Sequence, residues 1–430
     1  MSGERPFEGI RVAEFGQFIA VPFCGQLLAD GGAEVMKIEA PDGDPTRAFN
    51  PLAPGETRIF ISRNRGKHSL PLHLSHADAR PVIDRIVDWA DVVLMNFRPG
   101  LAKRLGLDPD ELLAAHPRLV IASVTAFGKR GPDASQAGMD IVLQARTGLM
   151  AANGRVIDGR PAPGDPLSTD YMCAMTLSFG VASALLRRER TGRGGIVDTS
   201  LMHAAMALAN NQLVRSEEHD RPVHEAALAR LEEQRARHAP YEEQAAALPS
   251  ARAHAMSMVY FRTFETADQA IAVACGSPGL RARFAALLGI DDPGLGIASL
   301  DTPEWETHYI RLRDQVEALI RAEPAETWVA RLQAEGIPVA AVRFPIELFD
   351  DEQAHANAMF HDMEHPTAGR IRVVGPPVAL DREGFRPSPP TPALGSESER
   401  ILADLGYDAE AIKALIASGI VKREVFEAGA

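Results

Sequence analysis

The segment 10–39, IRVAEFGQFIAVPFCGQLLADGGAEVMKIE, contains two strand-like runs with a helical run between them. Residues 10–15 and 34–39 have the short apolar pattern of strands, whereas residues 21–30 have the apolar spacing of a helix. A strand, a helix and a second strand in this order form a unit in which the two strands pair in parallel. The segment therefore predicts an α/β fold.

The same alternation continues to residue 127, with a helix predicted at 79–90, a strand at 91–97, a helix at 108–116 and a strand at 119–127. The nearly continuous apolar runs VVLM and LVIASV are typical of parallel strands covered on both faces. We therefore expect a Rossmann-like large domain. The turn after the first strand, GQFIAVP, lacks the GxGxxG pattern of dinucleotide sites, so no nicotinamide cofactor is expected.

A chain of 430 residues is too long for one ordinary core, so two domains are expected. The predicted large domain covers residues 1–214, and residues 215–250, rich in Ala, Glu and Arg, are interpreted as an exposed helical connector. We expect a smaller α/β domain at 251–345 and a return linker with strands at 346–392. C-terminal helices at 393–430 are expected to pack on the large domain.

Composition excludes several functional classes. The formal net charge of −13 disfavours nucleic acid as a partner. The chain has no uninterrupted apolar run of membrane-spanning length, and its first residues lack an apolar signal core, so we expect a cytoplasmic protein with no membrane partner. Its three cysteines, Cys24, Cys173 and Cys275, show no CxxC spacing, and neither disulfides nor a metal site are expected.

Basic residues are concentrated in three predicted loops of the large domain. They are Arg63, Arg65 and Lys67, then Arg98, Lys103 and Arg104, and finally Lys129 and Arg130. Two of these loops follow strands, and ligands of open α/β sheets bind at the carboxyl ends of strands. The three clusters indicate either a site for a multiply phosphorylated ligand or a solvated basic surface.

A long apolar helix is predicted within residues 164–195, GDPLSTDYMCAMTLSFGVASALLRRERTGRGG. Ser168, Thr169 and Asp170 are residue types that favour helix N-caps, and basic residues precede Gly192 at the other end. We expect Asp170 at the N-terminal end of this buried helix, either as a cap or as a carboxylate with a chemical role. Cys173, one turn later, is interpreted as a packing residue.

Motifs in a fixed order extend over nearly the whole chain. They are GIRVAEF (9–15), GGAEVMKIE (31–39), GDPTR (43–47), an NxxKxS pattern (64–69), NFRPG (96–100), RLGLD (104–108), RTGLM (146–150), RRERTGRGG (187–195), GIPVA (336–340), EHPTAG (364–369), VVGPPV (373–378) and LGSESERIL (394–402). In this set the chain resembles the class III CoA-transferases, which include formyl-CoA:oxalate transferases, carnitine CoA-transferases and α-methylacyl-CoA racemases. The resemblance implies a homodimer in which two ring-shaped chains are interlocked.

The resemblance also implies that Asp170 is the catalytic nucleophile, because it precedes Thr191 by the spacing expected in the family. Asp165, in the preceding loop, is the weaker candidate. The implied reaction transfers CoA from an acyl-CoA thioester to a carboxylic acid through an aspartyl anhydride and an aspartyl-CoA thioester, with neither ATP nor a metal. The adenine and phosphates of coenzyme A are expected at Asn96, Phe97, Arg98 and Arg104, with Lys67 and Lys129 as further contacts.

Three more positions bear on specificity. Asp140 matches an acidic position near the family's active site, and a purely structural role is an equal alternative. Met139 stands where racemases carry His, and its thioether has no proton to exchange, which disfavours racemisation. A racemase or an intramolecular CoA-transferring isomerase is the alternative function, and a CoA-binding protein without turnover is disfavoured by Asp170.

The glutamine of formyl-CoA transferases is replaced by Ile19, and Gln17 lies two residues earlier. We therefore expect an acid larger or less polar than oxalate or formate. The sequence leaves open which donor and acceptor acids are used.

Overall fold

The computed structural model describes residues 5–164, 166–246, 248, 257–297, 302–381 and 384–423. The chain forms two compact units, one of Met1–Val214 with His355–Ala430 and one of Arg215–Ala354. It therefore leaves the large unit and later returns to it. The finer division into a connector at 215–250 and a return linker at 346–392 stays a prediction.

The large unit is built on a six-stranded sheet. The strands of the described chain are β1 (Arg11–Phe15), β2 (Glu34–Glu39), β3 (Pro51–Ala53), β4 (Glu56–Thr57), β5 (Lys67–Pro71), β6 (Val92–Met95), β7 (Val120–Thr125), β8 (Val156–Ile157), β9 (Arg160–Pro161), β10 (Gly195–Ser200), β11 (Phe261–Glu265), β12 (Ala270–Ala274), β13 (Val339–Ala341), β14 (Phe360–His365) and β15 (Gly369–Val374). The order in the six-stranded sheet is β10-β7-β6-β1-β2-β5, and every pair is parallel. The predicted α/β fold with a parallel central sheet is confirmed.

Helices cover the sheet and fill the small unit. Those of the large unit are Ala20–Asp30, Arg58–Asn64, Arg80–Trp89, Leu101–Arg104, Pro109–Ala115, Asp140–Thr147, Leu149–Ala152, Ser168–Thr191, Leu201–Leu208, Ser398–Asp404 and Ala409–Ala417. Those of the small unit are Arg221–Ala236, Tyr241–Ala246, Pro278–Leu288, Pro303–Arg321 and Ala325–Ala334, and Glu352–Ala356 spans the return between the units. Short 3-10 helices lie at Pro45–Ala48, Ala77–Ala79, Asn210–Gln212 and Pro345–Asp350.

Both faces of the six-stranded sheet are buried. In β1, Phe15 packs on one face with Ile83 and Leu402, whereas Val12 packs on the opposite face with Leu177. The first face is covered in part by a helix from the end of the chain, and the second by the helix Ser168–Thr191, here called the long helix. Burial on two faces explains why these strands are apolar throughout and do not alternate.

The long helix owes its position to one apolar stripe. Cys173, Leu177 and Val181 recur at every fourth residue and are fully buried in the core. The helix ends at Gly192, whose φ of 73° is the left-handed conformation that glycine adopts readily. Its length and hydropathy would also allow a membrane span, but a core helix meets the same criterion, and this one packs on the sheet.

Residues from the end of the chain complete the hydrogen bonding of the large unit. The backbone N–H of Ser388 donates to Asp30 Oδ1 at 3.0 Å, and the hydroxyl of Thr391 donates to Glu56 Oε2 at 2.8 Å. Both carboxylates are buried and also pair with arginines, Asp30 with Arg65 and Glu56 with Arg47, so these donors add to their hydrogen bonding. The large unit is thus a product of two distant stretches of sequence.

The small unit contains a three-stranded antiparallel sheet in the order β11-β12-β13. Strands β11 and β12 form an antiparallel hairpin that turns at Ala267 and Asp268. Tyr260, Phe284 and Trp328 belong to a core between this sheet and the neighbouring helices.

Candidate active site

Asp170 lies in the first turn of the long helix, where it is the third helical residue. Leu167 occupies the cap position and no side chain caps the helix, so the cap predicted from the residues that follow it is not formed. Within the described residues, the Asp170 carboxylate receives no hydrogen bond. Burial raises its pKa to about 7, the negative charge of Asp140 adds to this effect, and the positive charge of Arg63 opposes it. Asp170 therefore changes ionisation near neutral pH.

Asp140 fixes the backbone at the start of the long helix. It begins the helix Asp140–Thr147 and is only 2% exposed. Its Oδ2 accepts the backbone N–H of Asp170 at 3.0 Å, and its Oδ1 accepts a short hydrogen bond from the side-chain amide of Gln144. The proximity of Asp140 to Asp170, which the resemblance implied, is thus seen in the structure, and the contact has both a positioning and an electrostatic effect.

Gln144 connects Asp140 by hydrogen bonds to Gly164, in the loop before the long helix. Its Oε1 accepts the backbone N–H of Gly164 at 2.9 Å, and its Nε2 lies 3.3 Å from the carbonyl oxygen of the same residue. Sequence reasoning did not identify Gln144. The signal that could have found it is the spacing from Asp140, since residues four apart on a helix lie on one face.

Arg63 approaches Asp170 through the neighbouring tyrosine. Its Nε and Nη2 donate to the hydroxyl oxygen of Tyr171 at 3.2 and 2.9 Å, and its guanidinium lies 5.3 Å from the centre of the same ring. Phe23 packs edge-on against Tyr171, with ring centres 5.1 Å apart. The sequence placed Arg63 in a basic loop, whereas it lies on the helix Arg58–Asn64 and is buried.

Lys67 lies inside the large unit and not at its surface. Its ammonium group donates to Glu14 Oε1 at 2.9 Å, to the carbonyl oxygen of Pro22 at 2.8 Å and to Asn64 Oδ1 at 2.8 Å. Burial lowers the pKa of Lys67 to about 8. The structure therefore does not bring Lys67 together with the exposed arginines predicted to contact coenzyme A, because protein oxygens already occupy its three donors.

A crevice lies at the carboxyl ends of β1 and β6, where the order of the sheet changes direction. The backbone N–H of Gln17 donates to Asn96 Oδ1 at 3.2 Å, and Asn96 Nδ2 donates to the carbonyl oxygen of Gln17 at 2.8 Å. Phe97 lies against Phe15, with ring centres 6.3 Å apart. These residues line a cavity of about 250 Å³. Such a switch point is the usual ligand site of an open α/β sheet.

The remaining predicted residues lie at the surface. Arg98 and Arg104, which follow Phe97 in the sequence, are exposed and form no ion pair with any described residue. Lys129 forms an ion pair of 2.6 Å with Asp198. Met139, immediately before Asp140, is 56% exposed.

Asp165 lies outside the described residues. Within them, no group of three or more His, Cys, Asp or Glu side chains could hold a metal ion.

The chain is similar to known proteins over most of its length. A family model described as CoA-transferase family III matches residues 7–398. The chain is 28% identical to human succinyl-CoA:glutarate CoA-transferase, over 98% of this chain and 91% of that protein. It is 30% identical to succinate–glutarate CoA-transferase of Agrobacterium fabrum, over 93% and 96%, and 29% identical to acetyl-CoA:oxalate CoA-transferase of Acetobacter aceti, over 87% and 89%.

Solved structures give the same result. The crystal structure of Rv3272 from Mycobacterium tuberculosis superposes with a TM-score of 0.72 and 28% identity, covering 92% of this chain and 98% of that one. A CAIB/BAIF family protein from Brucella suis gives a TM-score of 0.71 at 26% identity, covering 93% and 99%.

Proposed function

The chain belongs to CoA-transferase family III, and we propose that it transfers CoA from an acyl-CoA thioester to a carboxylic acid with Asp170 as the nucleophile. The observation that carries this proposal is the Asp170 carboxylate itself, which is partly buried at a helix N-terminus and accepts no hydrogen bond from any described residue. A carboxylate without hydrogen bonds keeps its lone pairs for attack on a carbonyl carbon. The positive end of the helix dipole favours its ionised form.

The proposed reaction exchanges one thioester for another. Asp170 attacks the carbonyl carbon of the donor thioester, a C–O bond forms, and the C–S bond breaks to release the CoA thiolate. The thiolate then attacks the Asp170 carbonyl of this mixed anhydride, which forms an aspartyl-CoA thioester and releases the donor acid. An acceptor carboxylate repeats the two steps in reverse, so atoms and charge balance without water, ATP or a redox step.

The side chains around Asp170 supply what these steps need. Asp140 and Gln144 fix the helix start and the loop before it, so that the nucleophile is held in one position. Arg63 favours the ionised, attacking form of the carboxylate. Tyr171, the residue after Asp170, packs against Phe23, and we expect this aromatic pair to limit the access of water that would hydrolyse an anhydride.

We place coenzyme A in the crevice at the ends of β1 and β6. Asn96 and Phe97 line its cavity, and the exposed Arg98 and Arg104 follow these two residues in the sequence. Arginine suits phosphate groups because its planar N–H donors match two phosphate oxygens at once. Lys129 is a weaker candidate since it already pairs with Asp198.

The acid substrates are proposed from the relatives. Succinate, glutarate and oxalate appear in the names of relatives that cover most of this chain, which makes a dicarboxylic acid the favoured substrate class. The racemase alternative has no support from the site, because Met139 cannot exchange a proton. Loss of chirality and uptake of deuterium at the α-carbon in deuterated water would instead support a racemase.

We further propose that the protein is a cytoplasmic homodimer. Support for the dimer comes from the outer face of the long helix, where Met175, Phe179 and Leu186 are 46%, 76% and 55% exposed. Large apolar side chains grouped on one helix face favour a protein–protein contact. A stable monomer in a sizing experiment would contradict it, and interlocking would show as dimers that do not exchange subunits without unfolding.

The nucleophile is tested by trapping. Incubation with succinyl-CoA should give a covalent CoA adduct by intact mass, and hydroxylamine should release CoA and leave a hydroxamate that peptide mapping locates at Asp170. Asp170→Asn should form no adduct. Asp165→Asn, five residues earlier, is the matched control and should form it normally; an adduct retained by the Asp170 variant would overturn the assignment.

A further inference from the structure

Arg63 differs from every other buried cation that the structure describes. The buried cations are Lys37, Arg47, Arg63, Arg65, Lys67 and Arg188. Five of them contact a carboxylate at 3.1 Å or less: Lys37 and Lys67 contact Glu14, Arg47 contacts Glu39, Arg65 contacts Asp30, and Arg188 contacts Asp91. Arg63 forms no ion pair with any described residue.

The hydrogen bonds of Arg63 go to neutral oxygens. Two reach the hydroxyl of Tyr171, and Nη1 donates to the carbonyl oxygen of Ile59 at 3.2 Å. A guanidinium carries five N–H donors, so these bonds leave one N–H on each terminal nitrogen without a partner among the described residues. A buried cation whose hydrogen bonds reach only neutral oxygens is less stable than one paired with a carboxylate, because burial has removed its hydration.

The nearby anion of the site is Asp170, and catalysis removes its charge. In the free enzyme the Asp170 carboxylate interacts electrostatically with Arg63. Once Asp170 is acylated, or linked to CoA, it is a neutral anhydride or thioester. The guanidinium then needs a different anion, and a dicarboxylic acid brings one, since only one of its two carboxyl groups enters the anhydride.

We propose that Arg63 is the specificity-determining residue that binds the free carboxylate of a dicarboxylic acid. The inference rests on the proposed function, with Asp170 as the nucleophile. Donor acid and acceptor acid pass through the same anhydride on Asp170, so their free carboxylates point in the same direction from it and one arginine serves both. Tyr171 holds one edge of the guanidinium. The two N–H groups left on the terminal nitrogens are the ones that would bind the substrate carboxylate.

The test compares two acceptors of equal carbon number, glutarate and pentanoate, with succinyl-CoA as the donor. In a two-step exchange, kcat/KM for the acceptor reports only on the acceptor's own half of the reaction. Arg63→Gln also removes a charge that favours the ionised form of Asp170, so both acceptors are compared at pH 9, where this carboxylate is ionised in wild type and variant. There the substitution should lower this value for glutarate about 100-fold, as expected for loss of a buried charge pair, and change it for pentanoate less than about threefold. Arg63→Lys should restore part of the glutarate activity, because the charge is retained.

The matched control is Arg58→Gln, which removes an exposed arginine from the same helix and should leave both acceptors unchanged. Retained pentanoate activity shows that Arg63→Gln is folded. Equal losses for both acceptors, or a wild-type preference for pentanoate, would overturn the assignment of Arg63. Failure of the wild type to form any CoA adduct would overturn the proposed function instead, so the two failures are distinguishable.

Discussion

The backbone N–H of Asp170 lies 3.0 Å from Oδ2 of Asp140, which places a second, buried carboxylate directly behind the proposed nucleophile. The hydrogen bond positions the start of the long helix. The negative charge of the same carboxylate raises the pKa of Asp170, after the larger effect of burial. Asp140 thus positions the backbone of Asp170 and also contributes to the raised pKa of its carboxylate.

The pH profile of the wild type follows from this pair. The attacking form is the ionised carboxylate, so kcat/KM for the acyl-CoA should rise with pH and level off above a value near 7, the pKa of Asp170. The measurement is the initial rate at limiting acyl-CoA between pH 5 and 9. A profile that is flat across this range would contradict the raised pKa.

Replacing Asp140 by Asn should move that profile. The substitution removes the negative charge, so the pKa of Asp170 falls and the acid limb shifts to lower pH. The maximal rate should also fall, because an amide has one acceptor oxygen where the carboxylate serves both Asp170 and Gln144. Gln144→Ala is the control: it disturbs the same loop but should leave the position of the acid limb in place.

Asp170→Asn should stabilise the protein in a pH-dependent manner. The folded-state pKa of about 7 lies above the ordinary value of 3.8, so the folded state binds the proton more tightly and loses stability as the pH rises between these values. The asparagine variant does not titrate. Its gain in the free energy of unfolding over wild type should be small at pH 4 and reach up to about 4 kcal/mol at pH 8. Urea denaturation at both pH values measures it, and a constant difference would be contrary to the prediction.

Lys67→Met should act on stability and not on coenzyme A. Removing the ammonium leaves Glu14 buried with one cation, Lys37, where it had two, and the loss in the free energy of unfolding should be about 3 kcal/mol. KM for the acyl-CoA should change less than about twofold once folded protein is compared. A large rise in KM with unchanged stability would favour the contact with coenzyme A predicted from the sequence.

Replacing Arg98 and Arg104 should have the opposite effects to Lys67→Met: it should weaken the binding of acyl-CoA and leave stability unchanged. Both are exposed, so replacing them together by Ala should leave stability unchanged within about 0.5 kcal/mol. KM for succinyl-CoA should rise about tenfold at low salt, and the difference should shrink as salt screens the phosphates. Succinyl-pantetheine, which lacks the nucleotide, should react equally with wild type and variant. Lys413→Ala, an exposed lysine of a C-terminal helix, is the control for charge alone.

Local patterns were sufficient for the parallel sheet and for the long helix. The apolar runs of β6 and β7 and the apolar stripe through Leu177 are patterns of residues close in sequence, so they can be recognised without knowledge of long-range contacts. Asp170 was predicted as the nucleophile from its spacing to Thr191, which the family resemblance supplied. Its cap interpretation failed because capping depends on the backbone angles of Leu167, which residue types alone do not specify.

Long-range contacts account for what the sequence could not supply. Arg63 and Lys67 are four residues apart and looked equivalent as members of one basic cluster. In the fold one lies beside Tyr171 and the other is enclosed by Glu14, a partner from a strand more than fifty residues earlier. The charge state of Asp170 likewise depends on Asp140, thirty residues away in the chain.

The hydrogen bonds that residues 384–423 make to Asp30 and Glu56 can form only late in the synthesis of the chain. When the first 214 residues have left the ribosome, two buried carboxylates of the large unit still lack donors that are encoded at the far end of the message. Translation of the entire small unit intervenes. A chain that stops before residue 384 therefore lacks two hydrogen bonds to buried carboxylates of the large unit, and Asp30 and Glu56 keep only the contacts, such as those with Arg65 and Arg47, that the first part of the chain supplies.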